Sequence, residues 1–391
     1  MQNEFKMELT THEASQSTCF FEILQNSETL DLRDNRGKIH DMALVLLGVL
    51  IALLRKRDGN LSSIHRSMEN THSVLLEALD IDNQSVISRS HLPILLKKVC
   101  VETFESLLFE HFGITLSAEE KAWFSMDGKE LRGTILTGDT RGEAIVQAVR
   151  HSDGLVSCQG YYNGNKESER PCVIDLLTQT GLARQSITLD ALHFTPATLS
   201  CIAQSGGSYI VGLKENQPEL YKDMQQLFSI SKSDYQYNTE EKGHGRLETR
   251  HYKTIDVAGE YFDKRWDIAK FATVVEVKRT RAETKKAKYS VETSYYMCNI
   301  KAIHQTKAEQ ICTAIRGHWS VEVNNHIRDV SFKEDALQTI FKTVAQPLAI
   351  IRTLIINVLK KEKIKNIVAK LEEFADDFSK LIQFLKKVKI L

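Results

Sequence analysis

Only 5 of the 391 residues are proline, none of the seven cysteines stands in a C-x-x-C pair, and neither sign of charge prevails, with 51 acids against 51 bases. Few prolines and 19 glycines exclude a collagen-like chain, while 42% hydrophobic and 26% charged residues exclude a disordered one. The cysteines, odd in number and widely spread, give neither a disulfide framework nor a zinc ribbon, so a reducing compartment is expected. The longest apolar run, Met42 to Leu54, is closed by Arg55-Lys56-Arg57. It falls short of the roughly 20 residues that span a bilayer and is expected to be a buried helix, with no membrane as partner. The first residues, MQNEFKMELT, carry acids and no apolar core, so no secretory signal is expected and the cytoplasm is the expected compartment. Since the net charge is zero, binding to a polyanion would need locally segregated charge. No internal repeat or low-complexity tract is present.

What the chain does have is length for more than one structural unit. Up to about residue 115 the pattern is helical: 42–54, then 61–79, then Pro93 to Phe112, stopped by Gly113. Ser117-Ala-Glu-Glu120 reads as a capping box, after which short β-rich runs begin. Strands are expected at 123–126, 143–150, 155–161, 186–189 and 208–213, and helices at 170–180 and 195–204. Three meandering strands followed by alternating helix and strand give an α/β layout with a mixed sheet. Residues 215 to about 305 break the alternation and are expected to form a β-rich insertion. Within it KRTRAETKKAK (278–288) holds six basic residues and one acid. After 305 the chain returns to helix and ends in a Lys-rich amphipathic segment. Two domains are expected, 1–115 and 116–391.

Three places could carry chemistry. Asp127 follows the apolar strand Trp123–Met126 and opens DGKELRG; it is either a turn residue or a carboxylate at a strand's carboxyl end, where metals and phosphates bind in α/β sheets. Asp190 ends the strand 186–189, either as a cap or as a second such carboxylate. In RGHWSVEVNNHIRDVSFKED (316–335), Ile315, Trp319, Val323, Ile327 and Val330 recur at helical spacing as the expected buried stripe. Beside it run His318, Glu322, Asn325, His326 and Asp329: a solvated polar face, a site for hard metal ligation, or a zinc site of His318, Glu322 and His326, although H-E-x-x-H is lacking.

DGKELRG (127–133), ITLDALHF (187–194), GGSYIVGLKENQPEL (206–220), HGRLETR (244–250), and RGHWSVE (316–322) with RDVSFKEDA (328–336) resemble, in order and spacing, the insertion-sequence DDE transposases of the ISAs-type or H-repeat-associated group. RGKIHDMALVLLGVLIALL (36–54) resembles that family's helical associated domain, a candidate for DNA-end recognition. The resemblance implies a ribonuclease-H-like core with a mixed sheet, a helical N-terminal domain, and a β-rich insertion before the helix that carries the acid. It implies Asp127, Asp190 and Glu322 as the catalytic, metal-binding triad, with two Mg²⁺ ions, or Mn²⁺ in their place, for phosphodiester cleavage and strand transfer.

Partners expected on the same ground are double-stranded DNA, both the element's terminal inverted repeats and its target, and further copies of the chain, in a bacterial cytoplasm at the nucleoid. Lys129, Arg132, Lys214 and Arg316 are candidate phosphate contacts near the metals. Lys278, Arg279, Arg281, Lys285 and Lys286 form either a DNA arm or a charged loop. His193 either orients Asp190 or is a satisfied histidine. Two other readings are a nuclease of the same core without strand transfer, and a non-catalytic DNA-binding remnant.

Overall fold

The computed structural model describes residues 18–82, 84–113, 121–243, 245–283, 288–339 and 341–391. The capping box at 117–120, Lys285 and Lys286 lie outside the described residues. The chain forms two compact units: the described part of Met1–His111 with Asn366–Leu391, and Phe112–Lys365.

The first unit is helical, with α1 (Phe20–Gln25), α2 (Met42–Leu54), α3 (Leu61–Leu79), α4 (Leu92–Leu96) and α5 (Val101–Phe112). All of α2 is buried, and Asp41 caps it by accepting the Leu44 N–H at 3.0 Å. The single helix expected over 93–112 is broken in two. Leu32 N–H donates to Lys98 O and Cys100 N–H to Leu30 O, and Asp31 bridges Val99, so a short extended ladder takes the backbone groups that a continuous helix would use.

Among the described residues the second unit is built on one sheet of nine strands: β1 (Trp123–Glu130), β2 (Ala144–Arg150), β3 (Val156–Tyr162), β4 (Ser186–Leu189), β5 (Ser208–Leu213), β6 (Tyr235–Gly243), β7 (Arg246–Asp256), β8 (Thr273–Glu283) and β9 (Lys288–Cys298). Their spatial order is β3-β2-β1-β4-β5-β9-β8-β7-β6. The first three strands are antiparallel, while β1, β4 and β5 are parallel. This 3-2-1-4-5 arrangement is the ribonuclease-H-like core that the resemblance implies. The expected insertion adds its strands to the edge of the same sheet, where β9 pairs antiparallel with β5.

Helices cover both faces. α6 (Lys166–Gln179), α7 (Pro196–Gln204) and α8 (Pro218–Ile230) bury Val173, Leu199 and Met224 against Phe124, Met126 and Val211. α8 was not foreseen from the polar sequence 215–230; Pro218 starts it, where a missing N–H costs nothing. On the opposite face lie α9 (Gln305–Gly317), α10 (Trp319–His326) and α11 (Lys342–Lys361). There Ile311 packs with Ile210 and Val275, and Ala345 and Ala349 pack with Ile145. Thr343–Lys361 is long and apolar enough to cross a membrane, but 83% of it is buried within the protein.

The last helices, α12 (Ile367–Asp376) and α13 (Phe378–Lys387), belong to the first unit, whereas the expected boundary put them with the sheet. The carbonyls of Lys389 and Ile390 accept the N–H groups of Phe20 and Phe21, helix-end donors without a partner inside α1. Arg55 donates to Ala375 O at 3.2 Å, and Leu371, Phe374, Leu381 and Leu385 are buried. The amphipathic C-terminal segment thus finds its apolar partner among the N-terminal helices.

Candidate active site

Strand alternation fixes where the two aspartates point. Met126 pairs with Leu189 across the parallel β1 and β4, so Asp127 and Asp190 come next, at the same end of neighbouring strands. Neighbouring strands lie about 4.8 Å apart. One rung earlier, Ser125 Oγ meets Ser320 Oγ at 2.8 Å, and Thr188 Oγ1 lies 3.1 Å from His318 Nδ1. Two residues on, with period two, the aspartates face the same helix α10, on which Glu322 stands one turn after His318. Asn325 Nδ2 donates to Asp127 Oδ2 at 3.4 Å.

The strand does not stop at Met126, as the Asp-Gly pair suggested; β1 runs on to Glu130 because β2 pairs with it throughout. Gly128 leaves room there for the Tyr162 hydroxyl and the Glu169 carboxylate, which a Cβ would have to displace. Asp190 caps the turn after β4 by accepting the Leu192 N–H at 2.9 Å, so it has a local structural task as well as its place at the strand end. That turn is tied down by the KENQ sequence: Asn216 Nδ2 donates to Ala191 O at 2.6 Å and Gln217 Nε2 to Phe194 O at 3.0 Å.

Electrostatically the pocket is a concentration of acids. Burial, then the charges of Asp190, Glu169 and Glu322, push the Asp127 carboxyl up to about 7. Burial also raises Glu322, against the opposing pull of Trp319, Arg316, Arg279 and Lys214. Glu169, on α6, was missed in the sequence. It is buried, accepts the Tyr162 O–H at 2.9 Å and lies 3.1 Å from His193 Nε2, which is itself 4.0 Å from Asp190 Oδ1. His193 is therefore a buried link between two acids. His151 and His318 flank Thr188, and burial lowers both to about 4, which keeps them neutral.

Among the described residues no group of three or more His, Cys, Asp or Glu side chains lies close enough to hold a metal ion as it stands, Asp127, Asp190 and Glu322 included. The His318, Glu322, His326 zinc alternative fails on direction: His318 is turned inward to Thr188 while His326 is exposed. Chemically the aspartates and Glu322 still suit a hard divalent cation, because they offer only oxygen donors and, among the described residues, no basic side chain bonds to Asp127.

The expected buried stripe of this helix is displaced. Val321, Asn324 and Arg328 point inward, while Trp319 is 45% and Val330 56% exposed. Buried polar partners explain the shift: Asn324 Nδ2 donates to Gly154 O, and Arg328 forks onto Glu334 at 2.8 and 2.9 Å. After α10 the backbone widens to a π-turn over Ile327–Ser331.

The basic candidates divide. Lys129 is buried and bound to Asp329 at 2.6 Å and Asp335 at 3.1 Å, so it is no phosphate contact; it ties the DGKELRG strand to the RDVSFKEDA segment. Arg132 is exposed and 3.9 Å from Asp335. Lys278 is exposed, and strand alternation turns it away from Arg279 and Arg281. Lys214, Arg279, Arg281 and Arg316 line a cavity of about 550 Å³ between the β6–β9 strands and α9–α10, and Glu322 forms part of its wall. HGRLETR contributes Arg246, Glu248 and Arg250 to that cavity.

No family model matches the chain. It is 28% identical over 273 residues to "Putative transposase YncI" of Escherichia coli O157:H7, covering 66% of this chain and 68% of that protein. It is 28% identical over 257 residues to "H repeat-associated putative transposase YhhI" of Escherichia coli K12, covering 63% of this chain. The chain spans 66% of the length of that second relative. Among solved structures, a piggyBac transposase synaptic complex with hairpin DNA superposes with a TM-score of 0.45 at 13% identity, covering 94% of this chain and 80% of that one.

Proposed function

We propose that this chain, whose curated relatives carry the name transposase, is a DNA transposase that cuts the ends of its own element and joins them to target DNA. Asp127, Asp190 and Glu322 are the residues that hold Mg²⁺ in this reading, with Mn²⁺ as a substitute. The observation that carries it is the placing of Asp127: a carboxylate raised by burial and by three other acids, beside Asp190 at the ends of two parallel strands, with Asn325 as its side-chain neighbour. Such a cluster repels itself until a cation relieves it. Asp127, Asp190 and Glu322 would hold Mg²⁺, which when bound would activate a water or a DNA 3′-hydroxyl and stabilise the leaving oxygen.

The chain's own part is positioning. Asn216 and Gln217 fix the turn behind Asp190, and Lys129 fixes the strand of Asp127 against the segment that follows α10. Double-stranded DNA with the element's inverted repeats, a target duplex and further copies of the chain are the partners, in the cytoplasm. The test is purified protein with DNA carrying its own flanks and Mg²⁺. Cleaved ends and joined products are expected, both lost in Glu322→Gln. Cleavage without joining would make it a nuclease, and binding without cleavage a non-catalytic remnant.

A further inference from the structure

Behind Asp190 runs a set of buried polar side chains to which the proposed chemistry gives no task. Two successive residues of α6 grip the turn that follows β4: Arg170 Nε donates to Leu192 O at 3.1 Å, and Glu169 Oε1 lies 3.1 Å from His193 Nε2. Both partners of the second contact are inside the protein, Glu169 7% and His193 0% exposed. A buried pair of this kind adds little net stability, because desolvation cancels most of its attraction. What it adds is direction.

The hydrogen bonds fix that direction from the outside inward. Tyr162 O–H donates to Glu169 Oε2 at 2.9 Å, and burial, followed by the Glu169 charge, raises the phenol above its ordinary value, so it remains a donor. His193 Nδ1 has no hydrogen-bond partner among the described residues, which puts the ring proton on Nε2, the nitrogen between the two acids. The two oxygens of Asp190 are then unequal. Oδ1 accepts the Leu192 N–H at 2.9 Å and lies 4.0 Å from His193 Nε2. Oδ2 makes no hydrogen bond to the described residues, and the Asp190 side chain is 41% exposed.

We propose that Glu169 and His193 are positioning residues that hold Oδ1 of Asp190 against its turn and so leave Oδ2 as the oxygen offered to a divalent cation. The inference rests on the metal-dependent function proposed above and adds which residues outside the acidic triad set its metal affinity. Glu169 acts through His193, and Tyr162 steadies Glu169 from behind. A ligand that is already oriented loses less freedom when the cation arrives.

The test measures Mn²⁺ binding to the full chain by isothermal titration calorimetry, with the thermal midpoint of each variant taken in EDTA. His193→Leu removes the N–H and Glu169→Gln the charged acceptor; each should weaken Mn²⁺ binding by about tenfold or more, as is typical when a group that orients a metal ligand is lost. The Mn²⁺ concentration for half-maximal cleavage of element-end DNA should rise by the same factor, and binding of that DNA in EDTA should stay as in wild type. Because the two residues act along one path, the double variant should bind Mn²⁺ no more weakly than the weaker single one. His193→Gln, which keeps a buried N–H donor, should recover most of the affinity. If His193→Leu does not fold, His193→Gln and Tyr162→Phe carry the test, the first near wild type and the second with a smaller loss than Glu169→Gln. Wild-type Mn²⁺ affinity in His193→Leu or Glu169→Gln, or an equal loss of DNA binding in EDTA, overturns the proposal while leaving the transposase reading intact. So do losses that add in the double variant, since Glu169 would then act on the cation by its own charge. No Mn²⁺ binding by wild type overturns the proposal, and no cleavage either overturns the reading above as well.

Discussion

Asp127 is the residue on which most of the site's physics converges. Burial first, then Asp190, Glu169 and Glu322, raise its carboxyl to about 7, against about 3.9 in an unfolded chain. An acid whose folded value is raised contributes stability that is fully present below the unfolded value and is lost as pH climbs through the folded one. Metal-free protein should therefore lose stability between about pH 4 and 7, by on the order of a few kcal/mol from this group. Asp127→Asn should flatten that part of the curve. Urea unfolding in EDTA across this range checks it, and an identical slope in the variant would show that the Asp127 carboxyl is not raised in the folded protein. At this scale the placing of Asp127 and Asp190 after short apolar strand runs was legible, and the structure sets them on neighbouring parallel strands. Glu169 was not. Its meeting with Gly128 and His193 is a matter of how α6 lies on the sheet, and nothing in the local sequence KESERP marks it.

Among the elements, the helix that carries Glu322 shows most clearly where periodicity misleads. Counting apolar residues put Trp319 and Val330 inside, but Asn324 and Arg328 are buried instead, because Gly154 O and Glu334 satisfy them. A polar side chain whose partner lies far along the chain looks like surface until the partner is seen. Lys129 was misread for the same reason: its partners are Asp329 and Asp335, some two hundred positions away in sequence. The segment 328–336 is thus a clamp on the strand of Asp127. Replacing the buried cation by Lys129→Met should cost on the order of 2 kcal/mol, since it leaves both carboxylates without their ammonium. Asp329→Asn should cost well under half of that, because Asp335 still holds Lys129. Urea unfolding of the two variants decides, and equal losses would contradict the clamp.

Across the whole molecule, the positions of the core strands and the mixed sheet were readable, because each strand is a short apolar run between turns and the helices between them set the parallel connections. Two features were not. The insertion is continuous with the core sheet through β5 and β9, a pairing between segments some ninety residues apart, and the C-terminal helices return to the N-terminal unit. Both are long-range contacts that no local pattern encodes. In the proposed function Asp190, beside Asp127 and facing α10, is a ligand to a catalytic Mg²⁺. The most direct measurement is Mg²⁺- and Mn²⁺-supported cleavage of labelled element-end DNA by Asp190→Cys. A thiolate is a poor ligand for hard Mg²⁺ and a better one for softer transition ions. With an unfolding midpoint matching wild type, the variant is predicted to be inactive in Mg²⁺ and to regain cleavage in Mn²⁺. Cleavage at the wild-type rate in Mg²⁺, or none in either metal, would contradict the assignment.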